Sequence, residues 1–149
     1  MVTGSIARSA LALGSRATLP RGTREKAAMS APSTPLTGDA LLAAVTDAMI
    51  ALHQRYHHRA PVSAKTLMLE DDLLACVLGG VYTTVEQTMI ELQRATVVHD
   101  TRSAFQNAMQ HKFVAVVEKL SGRSVLEFVS GHHVGPDIEI ELFMLAPLT

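Results

Sequence analysis

Between residues 100 and 120, apolar side chains recur at steps of three and four: Phe105, Met109, Phe113, Val116, Val117 and Leu120. That spacing lays one apolar stripe along a helix. Arg102, Gln106, Gln110, Lys112, Glu118 and Lys119 then supply a polar surface away from the stripe. Asp100 can accept from the free N–H groups of a first turn. Lys119 suits the negative end of the helix, and Gly122 can take the left-handed conformation that closes it. Beyond Gly122 the period changes. Val125, Phe128 and Val129, then Ile138, Ile140, Leu142, Phe143, Met144 and Leu145, predict two short strands hinged at Gly135-Pro136-Asp137. In the second strand Asp137, Glu139 and Glu141 alternate with Ile138, Ile140 and Leu142, which predicts a wet acidic face and a buried aliphatic one.

The preceding stretch follows a shorter version of the same plan. Leu41, Leu42, Val45, Met49 and Leu52 form a helical stripe, with Thr37 as N-cap and Asp39 in the first turn. Pro61 disfavours helical geometry at Ala60, so this helix should end near Tyr56. Residues 65–69 and 73–78 read as strands around the acidic turn Glu70-Asp71-Asp72, and Gly79-Gly80 stops the second. Thr83 and Glu86 have the spacing of a capping box, opening a short helix with Val85, Met89, Leu92 and Ile90 turned inward. Thr96-Val97-Val98 is β-branched and marks a break before the long helix. The order helix, hairpin, helix, helix, hairpin predicts an α+β domain: two antiparallel β-hairpins forming one sheet, with three helices on one face. No fixed-period repeat is present.

Composition changes the picture at the N-terminus. Residues 1–36 are rich in Ala, Ser, Thr, Arg, Gly and Pro and carry no sustained period, so they read as a disordered tail or a mis-started one ahead of Met29. A transit peptide is the second reading, from the Arg-rich, Ser-rich, acid-poor first 24 residues. Residues 37–149 form the single domain. Five of the 13 Lys+Arg lie in residues 1–28 against Glu25 alone, leaving 8 basic against 13 acidic residues from Met29 onward. An acidic domain poor in aromatics does not suit a nucleic-acid platform. The longest apolar runs are too short for the roughly 20 residues of a membrane span. Cys76, inside the apolar run 73–78, reads as a small buried hydrophobe, and a lone cysteine forms no disulfide within the chain.

Candidate chemistry is sparse. His57-His58 and His132-His133, with Asp137, offer candidate metal ligands at His58, His132 and Asp137. Neighbours on a strand point to opposite faces, so each pair presents one ligand, and the defined spacing of three or four ligands that marks a zinc site is absent. Solvated loop histidines are the plainer reading. Arg59, Arg102 and Arg123 could bind an anion such as bicarbonate, phosphate or a partner carboxylate, or could form separate surface ion pairs. Asp100 and Glu86 read as helix caps, not as general acids. Ser130-Gly131-His132 lacks the Gly-x-Ser-x-Gly elbow of a nucleophile. No catalytic constellation and no cofactor motif emerges, so the chain reads as a non-enzyme.

Two groups of motifs carry a resemblance. The first is Tyr56-His57-His58-Arg59-Ala60-Pro61, then Leu78-Gly79-Gly80-Val81-Tyr82-Thr83 with Glu86. The second is Arg102, Phe105 and Phe113, then Val117-Glu118-Lys119-Leu120-Ser121-Gly122-Arg123 and residues 130–145. Together they resemble the C component (MpsC-like domain) of the Na+-translocating membrane-potential-generating system, over about residues 41–147. Members commonly carry Gly-Arg-Gly-Pro before the first strand. Here His58 and Ala60 replace the glycines while Arg59 and Pro61 remain, so a close backbone approach there is in question. The resemblance implies an accessory or regulatory component of a membrane Na+- or bicarbonate-linked transport system, in the cytoplasm at the inner face of the membrane. The alternative is a small-anion or metal-binding sensor using Arg59, His58 and His132, with Arg59, Pro61, Arg102 and Arg123 as the candidate anion-binding residues. Exposed strand edges predict a homodimer, and a membrane transport protein is the further expected partner.

Overall fold

The computed structural model describes residues 34–148, so the expected tail lies outside the described residues but for its last three. Helix α1 is Gly38–His57. Strands β1 (Ser63–Leu69) and β2 (Leu73–Gly79) form the first hairpin. Helices α2 (Thr84–Glu91) and α3 (Ala95–Ser121) follow, then β3 (Val125–His133) and β4 (Ile138–Leu145) as the second hairpin. The hairpins join through antiparallel pairing of β2 with β4, giving one sheet in the order β1-β2-β4-β3. The α+β class, the two hairpins in one sheet and the three helices are as the periodicity predicts. Helix α1 lies over β1, α3 lies over β3 and packs on α1, and α2 packs on α3.

Each helix forms for a local reason. In α1, Leu41, Val45 and Met49 fall one turn apart and are buried, and Asp39 occupies the positive first turn. Thr37 is extended as an N-cap should be, but its side chain makes no capping bond. Helix α2 opens on the expected capping box: Glu86 donates its N–H to the Thr83 hydroxyl at 3.2 Å, and Thr83 donates its own to Glu86 Oε1 at 2.9 Å. Of its four expected inward residues, Met89 and Ile90 pack against the core, whereas Val85 and Leu92 are 73% and 65% exposed. Eight residues span barely two turns, and α2 packs chiefly on α3, so it has one narrow face to bury.

Helix α3 starts six residues earlier than an N-cap at Asp100 predicts, with Arg94 in the N-cap position. The break falls at Gln93, which takes a left-handed φ of 64° and ends α2, while Arg94 N–H reaches the Met89 carbonyl at 2.7 Å. The β-branched run 96–98 is helical because Val98 is buried in the core, and packing outweighs propensity. At 27 residues α3 is about 40 Å long. It closes as expected on Gly122, left-handed at φ 67°, whose N–H bonds the Glu118 carbonyl. Burying a side chain the size of Phe113 contributes about 2–3 kcal/mol. Leu36, placed by composition in the tail, donates to the Leu120 carbonyl at 2.9 Å and so fastens the entry of the domain to the end of α3.

The β4 alternation is real, and its faces are the reverse of the expectation. Glu139 and Glu141 are 1% and 0% exposed beneath the helices, together with Phe143 and Leu145. Ile140 and Met144 face outward, in register with Val77 and Leu73 of β2. The parity of a strand tells which residues share a face but not which face is covered. Here Phe143 and Leu145, on the glutamate side, belong to the core.

Candidate functional site

Three buried stripes turn polar at the same end of the domain. Leu41, Val45 and Met49 of α1 lead to His53; Phe113 and Met109 of α3 lead to Gln106 and Arg102; Leu145 and Phe143 of β4 lead to Glu141 and Glu139. Arg102 and Gln106, assigned by spacing to the polar surface of α3, are 2% and 7% exposed.

Arg102 sits at the centre. Its Nε and Nη2 grip Glu86 at 2.7 Å each, a two-point clamp on the residue that also caps α2. Nη2 donates to the Val81 carbonyl at 2.8 Å and Nη1 to Glu139 Oε1 at 3.3 Å, and the guanidinium lies over the Tyr82 ring, 5.1 Å from its centroid. The other Glu139 oxygen meets His53 Nε2 at 2.5 Å, while His53 Nδ1 is 3.0 Å from the Met49 carbonyl. Arg102 and His53 are thus paired with Glu86 and Glu139, the arrangement that makes burial of four ionisable groups tolerable.

The two β4 carboxyls are driven apart. Burial alone would raise Glu139, but the hydrogen bond and charge of His53 and the charge of Arg102 outweigh it and hold the carboxyl down at about 2. Glu141 has no cation paired with it, and burial followed by the Glu139 charge pushes it up to about 9. Burial, then Arg102 and His53, bring His57 down to about 4, and the ring lies tilted against Phe105, 4.2 Å between centroids. Burial and the neighbouring His99 also lower His132.

Of the predicted site residues, Arg102 alone enters this network. Arg123, at the far end of α3, is about 30 Å along the helix from Arg102 and donates to the Ala146 carbonyl at 2.8 Å. Arg59 is half-buried in the α1–β1 connection and Pro61 is buried there. These four do not converge on one site. His58 is exposed, left-handed at φ 58° where α1 ends. His132 faces inward against Gln106 and His99 while His133 faces out, as strand parity requires. Asp137 accepts from the Val81 and Tyr82 N–H groups at 3.0 Å each, which pins the start of β4 to the β2–α2 connection. Among the described residues, no group of three or more His, Cys, Asp or Glu side chains is placed to hold a metal ion. Cys76 is buried, and burial pushes its thiol up to about 11.

A family model described as Na+-translocating membrane potential-generating system (MpsC) matches residues 37–147. The chain belongs to the MpsC family. No curated protein and no solved structure matches it. The matched span begins at the N-cap position of α1 and ends after β4, so it takes in every element of the MpsC-family domain, including the buried Arg102 network. Among the described residues, no helix is long and apolar enough to cross a membrane.

His53, Glu139, Glu141 and Gln106 escaped sequence reasoning. Their signal was positional: each continues an apolar stripe by one more step of the same period.

Proposed function

We propose that this MpsC-family chain is a non-enzymatic accessory component of a Na+-linked membrane-potential-generating system, and that it acts as a homodimer at the cytoplasmic face of the membrane. The outer face of the sheet carries the reading. Leu67, Leu69, Val129, Ile140 and Met144 lie there, each 42–56% exposed, around the row Ala75–Leu142, and no described element covers them. Five aliphatic side chains about half exposed leave on the order of 500 Å² of apolar surface, a large patch for a monomer and most of the roughly 800 Å² per partner of a standard interface.

A sheet with helices on one face completes its layers by packing its bare face on another sheet. A second copy supplies that sheet under two-fold symmetry, giving four layers, helix–sheet–sheet–helix. This replaces the edge pairing expected from the strands alone. An anion site built on Arg102 would have to displace Glu86 from the guanidinium, so the accessory reading is the better supported one.

Light scattering at tens of micromolar tests the assembly: a dimer is expected, and Ile140→Asp should give a monomer with unchanged far-UV circular dichroism. A monomeric parent chain would refute the dimer. Cross-linking in native membranes tests the accessory role, which fails if no membrane protein is captured above an Ile140→Asp control and a no-cross-linker control.

A further inference from the structure

Strand β3 is one of the two edges of the sheet. Every second residue of an edge strand turns its N–H and C=O away from its neighbour, and no other backbone among the described residues pairs with that side of β3. Sheet edges are commonly guarded by lysine, and β1, the opposite edge, carries Lys65. Residues 128–132 of β3 hold no Lys, Arg, Asp or Glu, and the bulge of this strand falls earlier, between Val125 and Glu127. At Gly131 an added Cβ would meet nothing within 4 Å, and glycine inside a strand suits the close approach of another backbone.

A groove accompanies this edge on the helical side. Ser103, Asn107 and Gln110 follow one another at steps of four and three along a flank of α3. With Gln106 and the inward-facing Phe128 and Ser130 of β3 they line a polar cavity of about 190 Å³. Gln106 is 7% exposed; its Oε1 meets His132 Nδ1 at 3.4 Å, but its Nε2 has no hydrogen-bond partner among the described residues. A buried donor left unpaired is costly, so the cavity calls for an acceptor oxygen. Its lining carries no charge, so a charged group entering it would lose hydration without a counter-charge. Water can meet the donor but leaves the strand edge unpaired, whereas an extended chain satisfies both.

We infer that the β3 edge and the groove beneath α3 form a docking site for an extended segment of a partner protein, which joins the sheet as a fifth strand and places an uncharged, oxygen-bearing side chain (Ser, Thr, Asn or Gln) in the cavity to accept from Gln106 Nε2. Neighbouring strands lie about 4.8 Å apart, so the added residues fall beside Phe128 and Ser130 on the inner face and beside Val129 and Gly131 on the outer one. Inner positions meet the polar cavity. Outer positions extend the bare apolar face and take Val, Ile or Leu. The partner segment therefore alternates apolar and uncharged polar residues along the length of β3. A second copy of the chain suits the groove less well, because its β3 arrives with its own α3 above it. Neither the face-to-face dimer nor a membrane partner is needed for this site.

The test uses the full chain with a fluorescein-labelled peptide of about nine residues, Val alternating with Thr between lysine-tagged ends. Fluorescence anisotropy should saturate, and hydrogen exchange should slow at alternate amides of residues 127–133 and not in β1. Replacing each Thr by Asp should weaken binding at least about tenfold. Asn107→Trp, which fills the groove from an exposed helix position, should do the same. Parent chain should prefer Thr over Ala at the inner positions, and Gln106→Leu should lose that preference, which a merely loosened fold would not do. No saturation by about 1 mM peptide, equal affinity for the Asp peptide, or binding unchanged by Asn107→Trp overturns the site. Protection of alternate β3 amides before any peptide is added would put the chain's own residues or a second copy on the edge, and overturns it equally. If Gln106→Leu does not fold, the Asp peptide and Asn107→Trp decide.

Discussion

Replacing Glu141 by glutamine should stabilise the domain, and by an amount that grows with pH. In the unfolded chain the carboxyl has its ordinary value of 4.5, and in the fold burial and the Glu139 charge push it up to about 9. The folded state therefore binds the extra proton between those values. Its contribution is fully present below 4.5 and is lost as pH rises towards 9, at about 1.4 kcal/mol per pH unit. By pH 7 the loss amounts to about 3 kcal/mol, an upper figure for a carboxyl whose neighbours can relax. Glutamine has nearly the same shape and no proton to lose, so it escapes this cost. Urea unfolding in choline buffer at pH 5, 7 and 8.5 measures the difference, because every other titrating group is common to both proteins. The two should be nearly equal at pH 5. At pH 7 the variant's midpoint should lie higher by roughly 2 M, at an m-value of about 1.5 kcal/mol/M. A difference that does not change with pH, or a variant less stable at pH 7, would refute the buried, protonated carboxyl.

Arg102→Ala should lower stability by about 3–5 kcal/mol, seen as a Tm drop of at least about 10 °C, since it strands Glu86 and Glu139 without their cation; a drop of a degree or two would mean the network is dispensable. Glu139, held down at about 2, has the opposite sign to Glu141: its stabilisation is present above 4.5 and disappears as pH falls towards 2. Glu139→Gln should therefore be the less stable protein at pH 7 and should lose less on acidification, and parallel acid titrations of the two would count against the pairing with His53. Gly122→Ala should cost about 1–2 kcal/mol, because φ is 67° and a Cβ there would stand 2.5 Å from Pro35 Cγ; an unchanged denaturation midpoint would show that the α3 terminus and the 34–36 segment shift freely.

Element types were legible because each period is long or sharply bounded: the stripe of α3, the capping box at Thr83 and Glu86, the left-handed stop at Gly122 and the period-two runs of both hairpins. The boundary between α2 and α3 was not, because it depends on a left-handed glutamine, which no spacing announces, and on core packing that overrides the β-branched run at 96–98. Polarity misled most where it mattered most. Charged residues were assigned to water, the right default on cost, since a lone buried charge is expensive. Four ionisable groups brought from α1, α2, α3 and β4 pair with one another, and no single element reveals that pairing. The clue lay in the periods, which His53, Gln106 with Arg102, and Glu141 with Glu139 continue without a slip. The same clue explains the outer sheet face: once β4 turns its glutamates inward, strand parity sends Ile140, Leu142 and Met144 outward. The bare apolar face and the buried carboxyls thus follow from one choice of parity in β4. Substitutions that shift β4 by one residue should therefore disrupt the network and the assembly surface together.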